Sequence, residues 1–105
     1  MACTLLGTIV MKRYIVCAAI KYLMTDPKDD VVVTGARHYD QLMNPIVKSL
    51  NLRERAVREI QGFLDQHGKF YDRREALVIA TEAGQINTRR PKSRPLDRLF
   101  SEDLY

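Results

Sequence analysis

The chain has 105 residues, no tryptophan, only two cysteines and two histidines, and an aromatic share of 8%. Without tryptophan, few large side chains are available to build a core. Cys3 and Cys17 stand in no Cys-x-x-Cys or Cys/His cluster, which argues against a structural zinc site. So few thiols suit a reducing compartment. There is no long hydrophobic run. Residues 5–11 (LLGTIVM) are apolar, but Lys12 and Arg13 end the run, no basic stretch precedes it, and it is far too short to span a bilayer. The expectation is a soluble, cytoplasmic protein without a membrane partner. Enzyme signatures are missing too: no Gly-x-Gly-x-x-Gly, no Walker loop, no His-Glu-x-x-His and no Gly-x-Ser-x-Gly. With neither a nucleophile–base pair nor a metal cluster, the sequence argues against an enzyme and implies no cofactor.

The length suits one domain. A chain this small buries only about two-thirds of its unfolded surface, so a partner subunit would help it. The net charge is +4, with 17 basic and 13 acidic residues. Its distribution says more than its size. Residues 1–86 carry a net +2, residues 87–98 (NTRRPKSRPLDR) a net +4, and residues 99–105 (LFSEDLY) a net −2. A basic linker thus joins a near-neutral body to an acidic tail. Pro91 and Pro95 keep the linker extended rather than helical. It reads either as a solvated segment or as a strap that closes over an anion. A frayed tail has no need of Phe100, Leu104 and Tyr105, so the tail is expected to dock, on its own subunit or on a neighbour.

Met11-Lys12 looks like an alternative start, leaving residues 1–10 as an extension before a single domain over 11–105. Residues 13–23 read as a central strand with Tyr14, Val16, Ala18, Ile20 and Tyr22 on one face and Ile15, Cys17 and Ala19 on the other. Residues 31–34 (VVVT) form its hairpin partner. Leu42, Met43, Ile46, Val47 and Leu50 mark the buried face of a helix within 39–51. There, Pro45 either kinks the helix or follows an Asn44 cap. Residues 57–71 form a second hairpin turning at 65–68, where Gly68 is free to take positive φ. Gly62 within its first arm suggests a bulge or a close backbone approach. Asp72 and Glu75 make a capping box for a helix over 73–83, stopped by Gly84. The class is α+β: an antiparallel sheet with two helices packed on it.

Three groupings carry possible chemistry. Arg37-His38-Tyr39-Asp40 stands at a strand-to-helix junction, where Arg37 either grips phosphate or pairs with a surface carboxylate. Gln61-Gly62-Phe63 faces Phe70-Tyr71-Asp72-Arg73 across the second hairpin. The phenyl rings there are either plain core or a platform for a base. Gly84-Gln85-Ile86 leads into the basic linker. His67, in a turn, is expected to be exposed.

Taken in order, Arg37-His38, Gln61-Gly62-Phe63, Asp72-Arg73-x-Glu75-Ala76, Gly84-Gln85-Ile86 and the terminal Ser101-Glu102-Asp103-Leu104-Tyr105 resemble the phage Thoeris anti-defence protein 1 family over residues 11–105. The resemblance implies a sponge in the host bacterial cytoplasm. It would bind the cyclic ADP-ribose isomers that bacterial Thoeris TIR enzymes make as alarm signals and hold them without cleavage. It also implies dimers with ligand sites between subunits, and for some members hexamers that hold CBASS cyclic di- or trinucleotides at separate sites. Carried over, it places Arg37, His38, Phe63, Asp72 and Arg73 at the nucleotide. Phe63 would stack adenine, Asp72 would meet a base or ribose, and the two arginines the pyrophosphate. Gln85 and the linker arginines Arg89 and Arg94 join the ligand-binding set. One or two of Arg89, Arg90, Arg94 and Arg98 suit the oligonucleotide-type site.

Two other readings compete. A small basic nucleic-acid-binding protein would use the arginines of 89–98 and show steep salt dependence. An inhibitor of a host protein would use the acidic tail as a docking peptide. The sponge reading fits the residues well, because sequestration needs arginine and aromatic groups but no general base.

Overall fold

The apolar segment IVCAAIKYL forms strand β1, Ile15–Leu23, in a computed structural model that describes residues 12–104. The expected extension over 1–10 and the side chain of Tyr105 lie outside the described residues. β1 pairs antiparallel with β2 (Val31–Gly35) on one side and β3 (Arg58–Asp65) on the other. β4 (Phe70–Asp72) pairs antiparallel with β3, giving the order β2-β1-β3-β4. The strand that is apolar on both faces is therefore an interior one, as expected.

The face assignment of β1 needs one correction. The pairing of β1 with β3 slips between Ile15 and Cys17. This irregularity reverses the alternation at Val16. Ile15 joins Ala18 in the core, whereas Tyr14 and Val16 are exposed.

The turn before β2 is a short 3₁₀ segment, Pro27–Asp29, capped by the Asp26 carboxylate, which accepts from the Lys28 amide at 3.0 Å. After β2, helix α1 runs Met43–Ser49 and the single turn α2 runs Leu52–Arg55. Neither alternative for Pro45 holds. The helix starts at Met43, so Pro45 falls in the first turn, where amides lack intrahelical acceptors in any case. The capping carboxylate comes from Asp40, which accepts from the amides of Leu42 and Met43 and, on its other oxygen, from Ala36 and Arg37. Those four bonds hold the Asp40 carboxyl below the usual carboxylate range, the Met43 bond foremost. Only Met43 and Val47 of the predicted apolar face are buried. Leu42, Ile46 and Leu50 are exposed.

Helix α3 spans Arg73–Glu82 with the expected capping box: Asp72 accepts from the Arg74 and Glu75 amides, and Glu75 accepts from the Asp72 amide. Gly84 follows at φ +70°, the left-handed stop that only glycine adopts freely. α1 packs on β2, and α3 on β1, β3 and β4. Ala18 belongs to the core cluster under α3, and Ile20 and Tyr22 to the cluster under α1. These three residues share one side of β1, so both helices cover the same face of the sheet.

The second hairpin turns at Asp65–Gly68 as expected. Asp65 is buried, and its carboxylate accepts from the amides of His67 and Lys69 and from the Tyr71 hydroxyl. Gly62 marks a close approach, since a Cβ there would collide with the carbonyl of Tyr71 and the ring of Phe70. The obstruction is partly backbone and cannot rotate away. Gly62→Ala is expected to lower stability by about 3 kcal/mol or more, measured by urea denaturation.

The tail docks on its own chain. Leu99 is fully buried in the cluster with Phe63, Tyr71 and Ile79, and Leu104 packs on its edge. The linker is not a free strap. The Lys92 ammonium meets the Asp103 carboxylate at 2.8 Å, and that carboxylate, 1% exposed, also accepts from the amides of Ser93 and Phe100. Asn87 donates its amide to the Asp103 carbonyl at 2.7 Å. A buried carboxylate satisfied three ways is costly to disturb. Asp103→Ala strands Lys92 and is expected to cost about 3 kcal/mol or more, with a lower midpoint of thermal unfolding.

Candidate functional site

Arg73 is the first residue of α3, and its position follows from the cap at Asp72. Its guanidinium lies 4.6 Å from the ring centre of Phe100 and 5.9 Å from that of Phe63. Nη1 donates to the Leu99 carbonyl at 2.8 Å and Nη2 to Gln61 Oε1 at 2.6 Å. The Arg73 carbonyl in turn accepts from the Leu99 amide at 2.9 Å. No carboxylate among the described residues forms an ion pair with Arg73. Burial pulls its pKa below the ordinary arginine value, against the opposing charges of Glu102 and Asp103 and with Arg98 acting in the same sense as burial. The result is a half-buried cation whose partners so far are neutral oxygens and aromatic faces.

His38 approaches from the other side. Tyr39 takes φ +57°, an uncommon value for a bulky residue, and this reverses the chain just after β2. The reversal is held by the Asn44 amide group, which donates to the Tyr39 carbonyl at 2.6 Å, and by Arg53 over the Tyr39 ring at 4.7 Å. His38 thereby crosses β1 and meets β3. Its Nε2 lies 2.8 Å from the Gly62 carbonyl, which only accepts, so Nε2 carries the proton and donates. The imidazole meets Phe63 edge-on, with centroids 5.1 Å apart. Burial foremost, then the charge of Arg73, lowers the His38 pKa below its ordinary value.

Arg37, His38, Arg73, Phe100, Ser101 and Glu102 line one cavity of about 250 Å³. Glu102 sits 3.3 Å from Arg37, and both groups are about half exposed. On the other side of Arg73 lies an open groove of about 420 Å³, lined by Arg58, Gln61, Asp72, Arg74 and Arg98 among others. Asp97 neutralises part of this groove through Arg74 at 3.4 Å and Arg98 at 3.7 Å. A larger cavity, about 470 Å³, opens between α1 and α2 but gathers none of the predicted site residues.

Of those residues, the structure brings together Arg37, His38 and Arg73, with Asp72 alongside in the groove. It separates or reassigns the rest. Phe63 is fully buried beneath His38 and Arg73, so its ring is core and offers no face for a base. One Asp72 oxygen caps α3, accepting from two amides. Gln85 clamps the start of β1: its Oε1 accepts from the Ile15 amide at 2.7 Å and its Nε2 donates to the Ile15 carbonyl at 2.8 Å. Both ends of that side chain are thus committed to structure. Arg89 and Arg94 are exposed and line neither the cavity nor the groove. Among the described residues no group of three or more His, Cys, Asp or Glu is placed to hold a metal ion, and no helix is long and apolar enough to cross a membrane.

Sequence reasoning missed Gln61 as the acceptor that aims Arg73, and Ser101 and Glu102 as a wall of the cavity. The apolar Leu99 and Phe100 beside Glu102 and Asp103 were the available signal. Leu99, buried, and Phe100, half-buried, bring their acidic neighbours back to the body.

The lowered pKa of His38 fixes a sign. The folded state holds His38 neutral at a pH where the unfolded chain, with a histidine pKa of about 6.5, already binds a proton. Stability therefore falls as pH drops through that value and levels off below the folded-state pKa. Urea midpoints at pH 7.5 and 5.5 are expected to show this loss, and His38→Gln to reduce it.

Comparison with curated proteins and with solved structures gave no match. A family model, that of the phage T4 y16D protein, matches residues 14–105. The match takes in every described strand and helix and all the residues of the cavity. The chain belongs to the phage T4 y16D protein family.

Proposed function

We propose that this phage protein is a sponge that binds a small phosphorylated signal, of the cyclic ADP-ribose type, and holds it intact so that a bacterial defence is not triggered. One observation carries the reading: Arg73, half-buried and in an ion pair with no carboxylate among the described residues, opens with Arg37 on the same cavity. A half-buried cation of this kind gains from an anion, and arginine suits phosphate because two parallel N–H bonds match two oxygens.

The cavity is small for a whole dinucleotide, since ligand pockets run from about 300 Å³ upward. Arg73 separates it from the groove, so a pyrophosphate at Arg37 and Arg73 leaves the nucleoside to extend into the groove. With Phe63 closed off, the surfaces left for a base are the guanidinium planes of Arg74 and Arg98, which stack on bases. Binding without turnover is supported by how the polar groups are engaged. His38 Nε2 is tied to a backbone carbonyl, which fixes the ring in place rather than priming it to activate a nucleophile.

The reading includes a homo-oligomer in the host cytoplasm. Leu42, Ile46 and Leu50 form an exposed apolar row along α1, of the kind subunit contacts use. The same reading extends to a second, cyclic oligonucleotide ligand.

Calorimetric titration with cyclic ADP-ribose isomers is expected to show saturable binding, with intact ligand recovered on heating. Arg37→Gln, at a half-exposed position, is expected to weaken binding at least about tenfold while leaving the fold intact. Absence of binding to every isomer at micromolar protein contradicts the reading. So does tight, steeply salt-dependent binding to DNA or RNA instead, which points to a polyanion partner.

A further inference from the structure

We propose that Glu102 is a resident counter-anion of the Arg37–Arg73 cavity, which an incoming phosphoryl group displaces, so that this carboxylate sets how much negative charge a ligand must bring. The inference rests on the reading of the cavity as a phosphate site.

The tail holds Glu102 in place through its backbone alone. The turn Ser101–Asp103 is pinned by Asp103, through its buried pair with Lys92 at 2.8 Å, and by Arg90, whose Nη2 donates to the Glu102 carbonyl at 2.7 Å. The side chain is different. It is 55% exposed, and its carboxylate has two contacts among the described residues: Arg37 at 3.3 Å and the Ser101 hydroxyl at 3.4 Å. It can rotate into solvent without moving the turn.

An exposed ion pair of this kind contributes little stability. A phosphoryl group on the same guanidinium offers two charge-assisted hydrogen bonds. A ligand with one negative charge merely replaces the charge that Glu102 already supplies. A dianion supplies that charge and a second one, and the second falls beside Arg73, which forms no ion pair among the described residues. The carboxylate therefore acts as a threshold. It leaves ligands that bring two negative charges a net gain and those that bring one almost none. It also explains an acidic residue in the wall of an otherwise cationic cavity.

The test is calorimetric titration with inorganic pyrophosphate, comparing the full chain with Glu102→Gln and with Asp29→Asn. The last removes one acidic charge from the exposed β1–β2 turn and serves as the control for net charge. Glu102→Gln is expected to bind pyrophosphate on the order of five- to tenfold more tightly, the effect of removing one like charge from a partly exposed pocket, and Asp29→Asn to match the parent chain. Unchanged or weaker binding by Glu102→Gln overturns the inference and leaves the phosphate reading standing. An equal gain in Asp29→Asn also overturns it, by showing an effect of net charge. If neither the parent chain nor Glu102→Gln binds pyrophosphate, the phosphate reading itself fails, and the inference with it.

Discussion

The guanidinium of Arg73 is the contact on which the rest of the arrangement depends. It joins three parts of the chain that are far apart in sequence. Gln61 belongs to β3, Arg73 opens α3, and Leu99 begins the tail. Because Arg73 and Leu99 bond each other through both side chain and backbone, the tail is held where α3 begins. Seating Leu99 in the core then brings Phe100 over the guanidinium and Glu102 to Arg37. The cavity is thus a consequence of how the tail is fastened. Its cationic character follows from fastening the tail with a charge rather than a neutral amide.

The electrostatics of the chain acquire a spatial meaning from this. Along the sequence, the acidic tail offsets half of the basic linker's net charge. In the structure they interleave. Lys92 neutralises Asp103 inside, Arg90 holds the Glu102 backbone, and Asp97 bridges Arg74 and Arg98. The contacts spread the linker's charge into structural roles and leave Arg37 and Arg73 on the cavity. A discrete phosphate site suits this pattern better than a long polyanion track, since a polyanion needs a run of uncommitted cations.

The elements with local signals were readable in advance. The capping box at Asp72 and Glu75, the turn at Gly68 and the stop at Gly84 all depend on residues within a few positions of each other, and they stand where the spacing put them. Other features depend on contacts between distant residues. The reversed alternation at Val16 depends on the register with β3, which no pattern inside β1 records. The apolar row of α1 was one face in the sequence, yet the sheet takes only Met43 and Val47. Arg37, His38 and Arg73 were singled out by residue type and neighbours, and the structure gathers all three on one cavity. For Phe63 the residues left core or platform open and the resemblance took platform; the ring is core, because whether it is floor or platform depends on what folds over it. Gln85 shows the same limit. A side-chain amide after a helix reads equally as a ligand contact or a backbone clamp, and the partner that decides, Ile15, lies 70 residues away.

On the proposed reading, disarming a signal by holding it needs a pocket that the chain itself forms and groups that do not react. The tail supplies the first by closing the cavity from within the same chain. His38, kept neutral and tied to Gly62, suits the second. The most direct measurement is native mass spectrometry of the protein after exposure to lysate from cells with an activated Thoeris system. The account predicts a bound species at the mass of an intact cyclic ADP-ribose isomer, absent from Arg37→Gln, together with the subunit count. The bare chain alone in both samples would contradict it.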